Sequence, residues 1–277
     1  MLLRVVGPVM LLGAILGTGC RPVAPRASPS PPVSTLTPPS AFLPAAPAGK
    51  TWQLIWHDEF DGAALDASKW SFRPEGPRRD GWWARSAVTL DGKGHLVISA
   101  RHEGRKFLSG CVVTAGKFER AFGYYETRVR FQKQPGHWSA FWLQCAGTGR
   151  VGDQGRDGTE IDVWEKPTLD DRIEHNLHWD GYGEAHQHAG QKTSVAGLSR
   201  GWHSIAMWWK PDEYVFFVDG RETWRTSAGG VSQVPEYMML SNEIGTWAGD
   251  ISRAKLPDAF LVDYVRVFDL TAPSAGK

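Results

Sequence analysis

The sequence predicts an all-β fold, a sandwich of antiparallel sheets. Short apolar or alternating runs recur from residue 51 onward, and Gly, Asp, Asn and Pro separate them. No long segment keeps the 3.6-residue apolar period of an amphipathic helix. Asp219-Gly220 joins the runs 214–218 and 221–224 and is typical of a two-residue hairpin turn. Many short strands with turn signals between them are the pattern of a β-sandwich.

The first 20 residues resemble a secretory signal peptide. Arg4 precedes an apolar run from Val5 to Leu16, which is too short to span a bilayer comfortably. The small residues before Cys20 also resemble a bacterial lipoprotein signal, although Leu16 lies one position earlier than that pattern has it. A lipid anchor on Cys20 and ordinary secretion both stay open. Either one places the protein outside the cytoplasm, secreted or at the outer cell surface or periplasm.

The remaining chain divides into three parts. Residues 21–49 are rich in Pro, Ala and Ser and predict a disordered tether, because such a composition cannot bury enough apolar surface to fold. Residues 50–270 are long enough for one sizeable domain. Residues 271–277 are predicted to be a flexible tail.

One predicted strand carries an unusual charge density. Residues 158–165, Gly-Thr-Glu-Ile-Asp-Val-Trp-Glu, hold three carboxylates within six positions. On a strand, side chains two residues apart share a face, so Glu160 and Asp162 project together, roughly 6.6 Å apart. Strict alternation would turn Glu165 into the core, whereas a β-bulge adds one residue and restores the facing. We therefore predict a bulge at about Val163–Trp164 that returns Glu165 to the side of the other two acids.

Acids among apolar neighbours are costly unless they have a task. A solvated strand edge is the ordinary alternative, but Ile161, Val163 and Trp164 fit it poorly. Two carboxyls about 5–5.5 Å apart are what a retaining glycosidase uses, one as nucleophile and the other as general acid and base. Asp162, between them, would orient the nucleophile and tune both titrations.

Composition argues against several other function classes. The formal net charge of +1 gives no electrostatic case for binding nucleic acid or an anionic membrane. The sequence has no phosphate-binding loop, dinucleotide fingerprint, CxxC or HExxH motif. The 14 Trp outnumber the 12 Phe, and two uses stay open for them, a large aromatic core or exposed platforms for sugar rings. A polysaccharide is the predicted partner.

Six segments spread over residues 52–268 carry a family resemblance. They are 56–62, 117–118 with 123–128, 138–143, 160–165, 202–220 and 262–268. In order and spacing they resemble glycoside hydrolase family 16, the group of laminarinases, lichenases, agarases and carrageenases. The resemblance implies a concanavalin-like jelly-roll sandwich of two bent antiparallel sheets with a cleft on the concave face. It also implies Glu160 as nucleophile, Asp162 as its helper and Glu165 as general acid/base, with the spacing of the bulged branch.

The resemblance implies further cleft residues. It places Glu126 and Arg128 beside the cleavage point, in contact with sugar hydroxyls, although a wet strand face is the ordinary fate of such alternating charge. It places His178 beside the acid/base. Trp138 and Trp142 share a strand face about 13 Å apart. Core packing and a sugar platform are both open for them, and Trp138 is the better platform candidate.

The chain departs from the family at two substrate-contacting positions. Arg85-Ser86-Ala87 stand where relatives often have an Asn, and residues 240–243 read Leu-Ser-Asn-Glu where relatives have Leu-Asn. Trp82, Arg85 and Asn242 are the candidate substrate contacts here. Because of these departures, linkage specificity does not carry over from the family.

Metal and cysteine chemistry take a minor place in the prediction. Four His within residues 175–188 invite a zinc site, but no ligand spacing repeats, so we expect none, with His186 and His188 on a loop surface. Catalysis of this kind needs no cofactor, and the resemblance implies only a structural Ca²⁺ at Asp263. Cys111 and Cys145 are either a disulfide or two buried thiols.

The predicted function is retaining endo-hydrolysis of a β-linked polysaccharide by a monomer. A β-1,3-glucan is the first choice of substrate, and a galactan such as agar or carrageenan is the second. A transglycosylase on the same scaffold is one alternative. A carbohydrate-binding sandwich without turnover is another, but a pure binder has no reason to keep three crowded carboxylates.

Overall fold

The computed structural model describes residues 40–272. The predicted signal peptide, Cys20 with its possible lipid anchor, most of the predicted tether and residues 273–277 of the tail lie outside this range. Within it, no helix combines the length and the apolar character needed to cross a membrane.

Strands dominate the described part of the chain. They are β1 (Thr51–Asp58), β2 (Ser71–Phe72), β3 (Gly76–Arg78), β4 (Gly81–Trp83), β5 (Val88–Leu90), β6 (Leu96–Glu103), β7 (Lys106–Ser109), β8 (Cys111–Val113), β9 (Glu119–Arg120), β10 (Gly123–Arg130), β11 (His137–Gln144), β12 (Glu160–Lys166), β13 (Arg172–Trp179), β14 (Gln187–Ser194), β15 (His203–Trp209), β16 (Tyr214–Val218), β17 (Arg221–Thr226), β18 (Glu236–Ile244) and β19 (Asp258–Thr271). Single-turn 3-10 helices lie at Arg85–Ala87, Ala146–Gly149, Ala228–Gly230, Thr246–Ala248 and Ile251–Arg253.

The strands form two large sheets. The larger sheet has the order β17-β16-β15-β10-β19-β6-β7-β4-β3, with β1 added on β19 and β5 on β6. The smaller sheet has the order β14-β13-β12-β11-β18-β8-β2, with β9 added on β18. The strand pairs are antiparallel except for β4 with β7. This is the predicted all-β jelly-roll sandwich, and the fold prediction is confirmed.

Alternation along the strands separates three layers of side chains. The main core lies between the sheets and is filled from both, for example by Phe141 and Trp164 from the smaller sheet and Tyr125 and Met207 from the larger. The outer face of the smaller sheet carries a second cluster around Trp142. The outer face of the larger sheet carries a third cluster, formed by Tyr124, Ala206, Val215, Phe217 and Phe268.

The predicted hairpin turn is present. Asp219 and Gly220 both have positive φ, 49° and 76°, as a type I′ turn requires, and β16 pairs with β17 around them. The conformation is easy for Gly and is tolerated by Asp better than by most residues, which is why this dipeptide predicted the turn.

The predicted start of the domain at residue 50 is ten residues too late. Ser40 is buried and its hydroxyl donates to Glu126 Oε1 at 2.7 Å, while Leu43 packs on the outer cluster of the larger sheet. The Trp52 indole N–H donates to the Pro44 carbonyl at 2.8 Å. Composition suggested a tether, but a few side chains and backbone carbonyls suffice to hold residues 40–44 on the sheet.

Candidate active site

The acidic strand β12 contains the predicted bulge. On the β11 side, Phe141 pairs with Trp164 and Trp142 pairs with Asp162, so Val163 is the extra residue. The pairing with β13 shifts between Asp162 and Glu165 as well. The bulge keeps Trp164 in the core and turns Glu165 outward, as predicted from the alternation of side chains along the strand.

A buried histidine holds this bulge in place. His175 is the one β13 residue opposite Val163 and Trp164 of β12, and its Nδ1 lies 2.6 Å from the Val163 carbonyl oxygen. Because a carbonyl only accepts, Nδ1 carries the proton, and Nε2, 2.9 Å from Thr223 Oγ1, accepts. Burial lowers the pKa of His175 to about 4, so the ring stays neutral. Sequence reasoning missed this role, since nothing local marks the partner of a bulge.

The three acids line a common cleft on the outer face of the smaller sheet. Glu160, Asp162 and Glu165 all border a cavity of about 470 Å³, and the predicted convergence is confirmed. By alternation they point away from the main core, on the same side as Trp142.

Glu165 is the acid best suited to carry a proton at neutral pH. Its carboxylate accepts from the Trp138 indole N–H at 3.1 Å and from Asn176 Nδ2 at 2.8 Å. Burial outweighs these hydrogen bonds and raises the pKa of Glu165 to about 7. A carboxyl poised there can donate a proton and later take one back.

Glu160 is held by hydrogen-bond donors from outside its strand. The Tyr182 hydroxyl and Gln144 Nε2, the latter at 3.2 Å, both donate to Oε2. Burial raises the pKa of Glu160, while the Tyr182 hydrogen bond opposes that rise. These contacts fix one oxygen and leave the other available for attack on a sugar carbon.

Asp162 sits deepest of the three acids. Burial, and then the charges of Glu165 and Glu160, raise the pKa of Asp162 well above its ordinary value. His178 Nε2 lies 3.5 Å from Asp162 Oδ2, but burial lowers the pKa of His178 to about 4. The contact therefore involves a neutral imidazole and is not an ion pair. The predicted cleft position of His178 is confirmed.

Trp138 and Trp142 form part of the cleft floor and are not exposed platforms. Trp138 is 2% exposed and Trp142 is 7% exposed. The Trp142 indole N–H donates to Ser241 Oγ at 3.0 Å. An exposed indole comes instead from Trp247, which is 45% exposed, lines the same cavity and packs edge-on against Trp138 at 5.1 Å. Sequence reasoning missed Trp247, because it lies in a loop without any motif.

Two walls of the cleft differ from the prediction. His186 and His188 stack with His178 at centroid distances of 5.1 and 5.8 Å and line the cavity. The prediction that these two histidines lie on a loop surface away from the cleft is therefore wrong. On the opposite side, Arg78 and Arg79 join Glu243 beside the acids. They belong to the β3–β4 hairpin, where the sequence pointed to Trp82 as the cleft residue and not to the arginines.

Three predicted substrate contacts lie elsewhere. Asn242 is buried in the interior, where Nδ2 donates to the Ile98 carbonyl at 3.3 Å, and alternation gives the cleft face to its neighbours. Trp82 lies under the Lys106 ammonium at 3.5 Å. Arg85 is exposed over the Phe72 ring. The described residues that line the acid cavity include none of the three.

The prediction for Glu126 and Arg128 is also wrong. They lie on β10 of the larger sheet and share a face with Tyr124, so they point to the opposite side of the sandwich from the acids. Glu126 is buried and accepts from Ser204 Oγ at 2.5 Å, and Arg128 Nη1 pairs with Asp263 Oδ2 at 2.5 Å. Burial raises the pKa of Glu126.

The surroundings of Asp263 do not fit a calcium ion on its carboxylate. One oxygen pairs with Arg128 and the other lies 4.0 Å from His95 Nε2. A hard cation needs several oxygen ligands and no competing guanidinium. The Asp263 carboxylate therefore serves an ion pair with Arg128, and the expectation of calcium at this residue is not supported.

Metal-ligand and thiol groups in the described chain add little further chemistry. Glu160, Asp162 and His178 bring possible ligand atoms within 4.8 Å of one another, but Glu160 is also one of the two carboxyls that a glycosidase mechanism would use. Cys111 and Cys145 do not form a disulfide; Cys111 is a buried thiol, as the other alternative had it, whereas Cys145 is only half-buried.

Comparison with known proteins decides the family. The model of glycosyl hydrolases family 16 matches residues 77–266. The chain belongs to this family. Membership agrees with the bulged strand and with three acids on one sheet face.

Relatives in the family differ in their named substrates. The chain is 29% identical to a beta-glucanase of Rhodothermus marinus over 78% of this chain and 85% of that protein. It is 28% identical to a keratan-sulfate endo-1,4-beta-galactosidase of Sphingobacterium multivorum over 90% of this chain, and it spans 63% of that relative's length. The laminarinase of Flavobacterium sp. UMI-01 matches with a TM-score of 0.67 at 25% identity, over 78% of this chain and 100% of that one.

Proposed function

We propose that the protein is a retaining endo-glycosidase that hydrolyses internal bonds of a β-linked polysaccharide. The observation that carries the proposal is the bulge at Val163, which brings Glu160 and Glu165 to one cleft face. A retaining mechanism needs two carboxyls on the same surface, one to attack and one to transfer protons. Family membership supports the same chemistry.

Each acid has a role that its surroundings support. Glu160 attacks the anomeric carbon, and the hydrogen bonds from Tyr182 and Gln144 orient its carboxylate. Glu165, whose pKa burial raises to about 7, protonates the leaving oxygen and then activates the water that releases the product. Asp162 lies between them and shares the titration of the group.

Two substrate classes are supported by the sequence and the relatives. A β-1,3-glucan is favoured by the sequence resemblance and agrees with the laminarinase match. A β-galactan is the second candidate and agrees with the keratan-sulfate relative. A transglycosylase remains the alternative reaction, because the same glycosyl-enzyme can pass its sugar to another chain.

A substrate panel with matched variants tests the proposal. The full chain is incubated with laminarin, lichenan, agarose, κ-carrageenan and xyloglucan, and reducing ends and product lengths are measured. We expect new reducing ends from one substrate, initial products of retained anomeric configuration by NMR, and loss of turnover in Glu160→Ala and Glu165→Ala. Glu222→Ala, on β17 of the other sheet, is the matched control.

The outcomes separate the competing hypotheses. Rearranged chain lengths without new reducing ends indicate transfer, and retention of polymer without cleavage indicates a binding module. Full turnover by either Glu→Ala variant, with unchanged thermal unfolding, would remove the assignment.

For the region outside residues 40–272 we propose export, with or without a lipid on Cys20, and a monomeric enzyme. Mass spectrometry of the mature N-terminus distinguishes a diacylglyceryl-modified Cys20 from a simple signal-peptide cleavage. Light scattering at micromolar concentration checks the monomer.

A further inference from the structure

One end of the acid cleft is lined by arginines. The β3–β4 hairpin lies over β18, where the Asp80 N–H donates to the Ile244 carbonyl at 3.1 Å. Its turn brings Arg78 and Arg79 to the same cavity wall as the catalytic acids. The stacked histidines lie on β13–β14, at the other end of the row β14-β13-β12-β11-β18. The cleft therefore has a basic end and an imidazole end, with the acids between them.

Both guanidinium groups are held so that their outer nitrogens stay available. Arg78 uses Nε to bind Glu243 at 3.0 and 2.9 Å, and Arg79 uses Nε to bind the same carboxylate at 3.2 Å. Arg78 stacks on the Trp83 ring at 4.8 Å, and Arg79 stacks on the Trp138 ring at 5.1 Å. Aromatic stacking and a shared anchor restrict the two side chains without engaging the Nη atoms, which have no hydrogen-bond partner among the described residues.

Two arginines and two carboxylates meet at this end of the cleft. The buried carboxylate of Glu243, 3% exposed, faces two arginines whose side chains are 37% and 54% exposed. The neighbouring Asp80 uses its carboxylate to accept from the Thr246 N–H at 3.2 Å. Burial raises the pKa of Glu160, and Arg78 and Arg79 are among the charges that oppose this rise, which places both close to the nucleophile. Among the described residues, Glu243 is the carboxylate at ion-pair distance from these arginines, and the more exposed Arg79 is the guanidinium better placed to take a further anion.

We propose that Arg78 and Arg79 form an anion-binding subsite, which selects a polysaccharide that carries a sulfate ester or a carboxylate close to the sugar over Glu160. A guanidinium fork with free Nη atoms matches two oxygens of such a group. The two guanidinium groups would fix the position of the anion along the cleft, since the carboxyl groups between the two ends offer an anion no such partner. The inference rests on the proposed function, since it concerns the substrate of that same cleft, and it moves a charged galactan ahead of a neutral glucan.

Binding to the inactive full chain tests the subsite without requiring turnover. Glu160→Gln is titrated by calorimetry with keratan sulfate, with the same polymer after chemical desulfation, and with hyaluronan, whose only anions are carboxylates. We expect about tenfold tighter binding of one anionic polymer than of desulfated keratan. This preference should shrink as NaCl rises from about 50 to about 300 mM, because salt screens an exposed ion pair.

Variants in the same background assign the preference to the hairpin. Arg79→Gln is the main variant, since this side chain is more than half exposed and its loss leaves Arg78 on Glu243. It should reduce the preference at least fivefold, and Arg79→Lys should recover part of it, because the charge remains but the fork is lost. Arg221→Gln, exposed on β17 of the other sheet, should keep the preference unchanged. Thermal unfolding of each variant checks the fold.

Each outcome decides the question. A preference for keratan sulfate or for hyaluronan that depends on Arg79 supports the subsite and identifies the anion as sulfate or carboxylate. Equal affinity for charged and neutral polymers, binding of none, or a preference that survives Arg79→Gln overturns it. If wild type nevertheless hydrolyses laminarin, the proposed function stands alone. Arg79-dependent binding without cleavage of any polymer would leave the subsite and remove the hydrolase.

Discussion

The hydrogen bond from the Trp138 indole to Glu165 should set the alkaline limit of activity. Trp138→Phe keeps most of the buried ring surface but removes the Nε1–H donor that lies 3.1 Å from Oε1. That donor stabilises the ionised carboxylate, so its loss favours the protonated form. The Asn176 donor remains at 2.8 Å.

The magnitude depends on the bond that is lost. A hydrogen bond to a charged group contributes about 1.5–3 kcal/mol, and one pKa unit corresponds to about 1.4 kcal/mol. Burial already raises the pKa of Glu165 to about 7. We expect the substitution to raise this pKa further, by about one unit. Glu165 must carry a proton to act as the acid, so activity is lost as pH rises through its pKa.

The assay is kcat/KM against pH for wild type, Trp138→Phe and Trp142→Phe. The alkaline limb should move up by about one pH unit in Trp138→Phe. It should stay in place in Trp142→Phe, because that indole lies on the same strand face but donates to Ser241. An alkaline limb at the same pH in all three proteins, or one that moves equally in both variants, would refute the assignment of Glu165 as the acid.

Three further predictions concern the scaffold. His175→Ala leaves the buried Val163 carbonyl without its donor, so the free energy of unfolding should fall by about 1–3 kcal/mol. Because the bulge positions Glu165, kcat should fall more than KM rises. Loss of stability with full kcat would show that the bulge does not need this ring. Burial raises the pKa of Glu236 from 4.5 to about 8, so between these pH values the folded state keeps a proton on Glu236 that the unfolded state has lost. The free energy of unfolding therefore falls as pH rises from 4.5 to about 8. Glu236→Gln should remove this residue's share of the decline, on the order of 5 kcal/mol at most, in urea titrations at both ends of the window; a decline as steep as that of wild type would contradict it. Deletion of residues 1–49 should lower Tm by roughly 5–10 °C relative to deletion of residues 1–39, and equal Tm values would restore the boundary predicted from composition.

Most of the fold could be inferred from local patterns. The run that became β6 alternates in the sequence as a strand with one buried face does, and the hairpin turn between β16 and β17 has its signature dipeptide. Residues 40–49 were misassigned because composition averages over a segment, whereas docking depends on single side chains such as Ser40 and Leu43.

Part of the site was predictable for the same reason. Glu160, Asp162 and Glu165 lie on one strand. The alternation of side chains between the two faces of a strand is a local property, so the bulge could be inferred from the sequence alone. Glu126 and Arg128 were misplaced although their alternation was correct. Alternation tells which residues share a face, but it does not tell which sheet the strand joins or which way that face looks.

The sequence by itself determined the sandwich, the three acids and the need for an irregular pleat, because each depends on residues close together in the chain. Only the tertiary structure decided what surrounds the acids. Arg78, His175 and Trp247 come from separate segments, and they reach the cleft or the bulge only through the order in which strands join the two sheets. That order is set by packing and hydrogen bonding between distant segments, to which no local pattern of residues is sensitive.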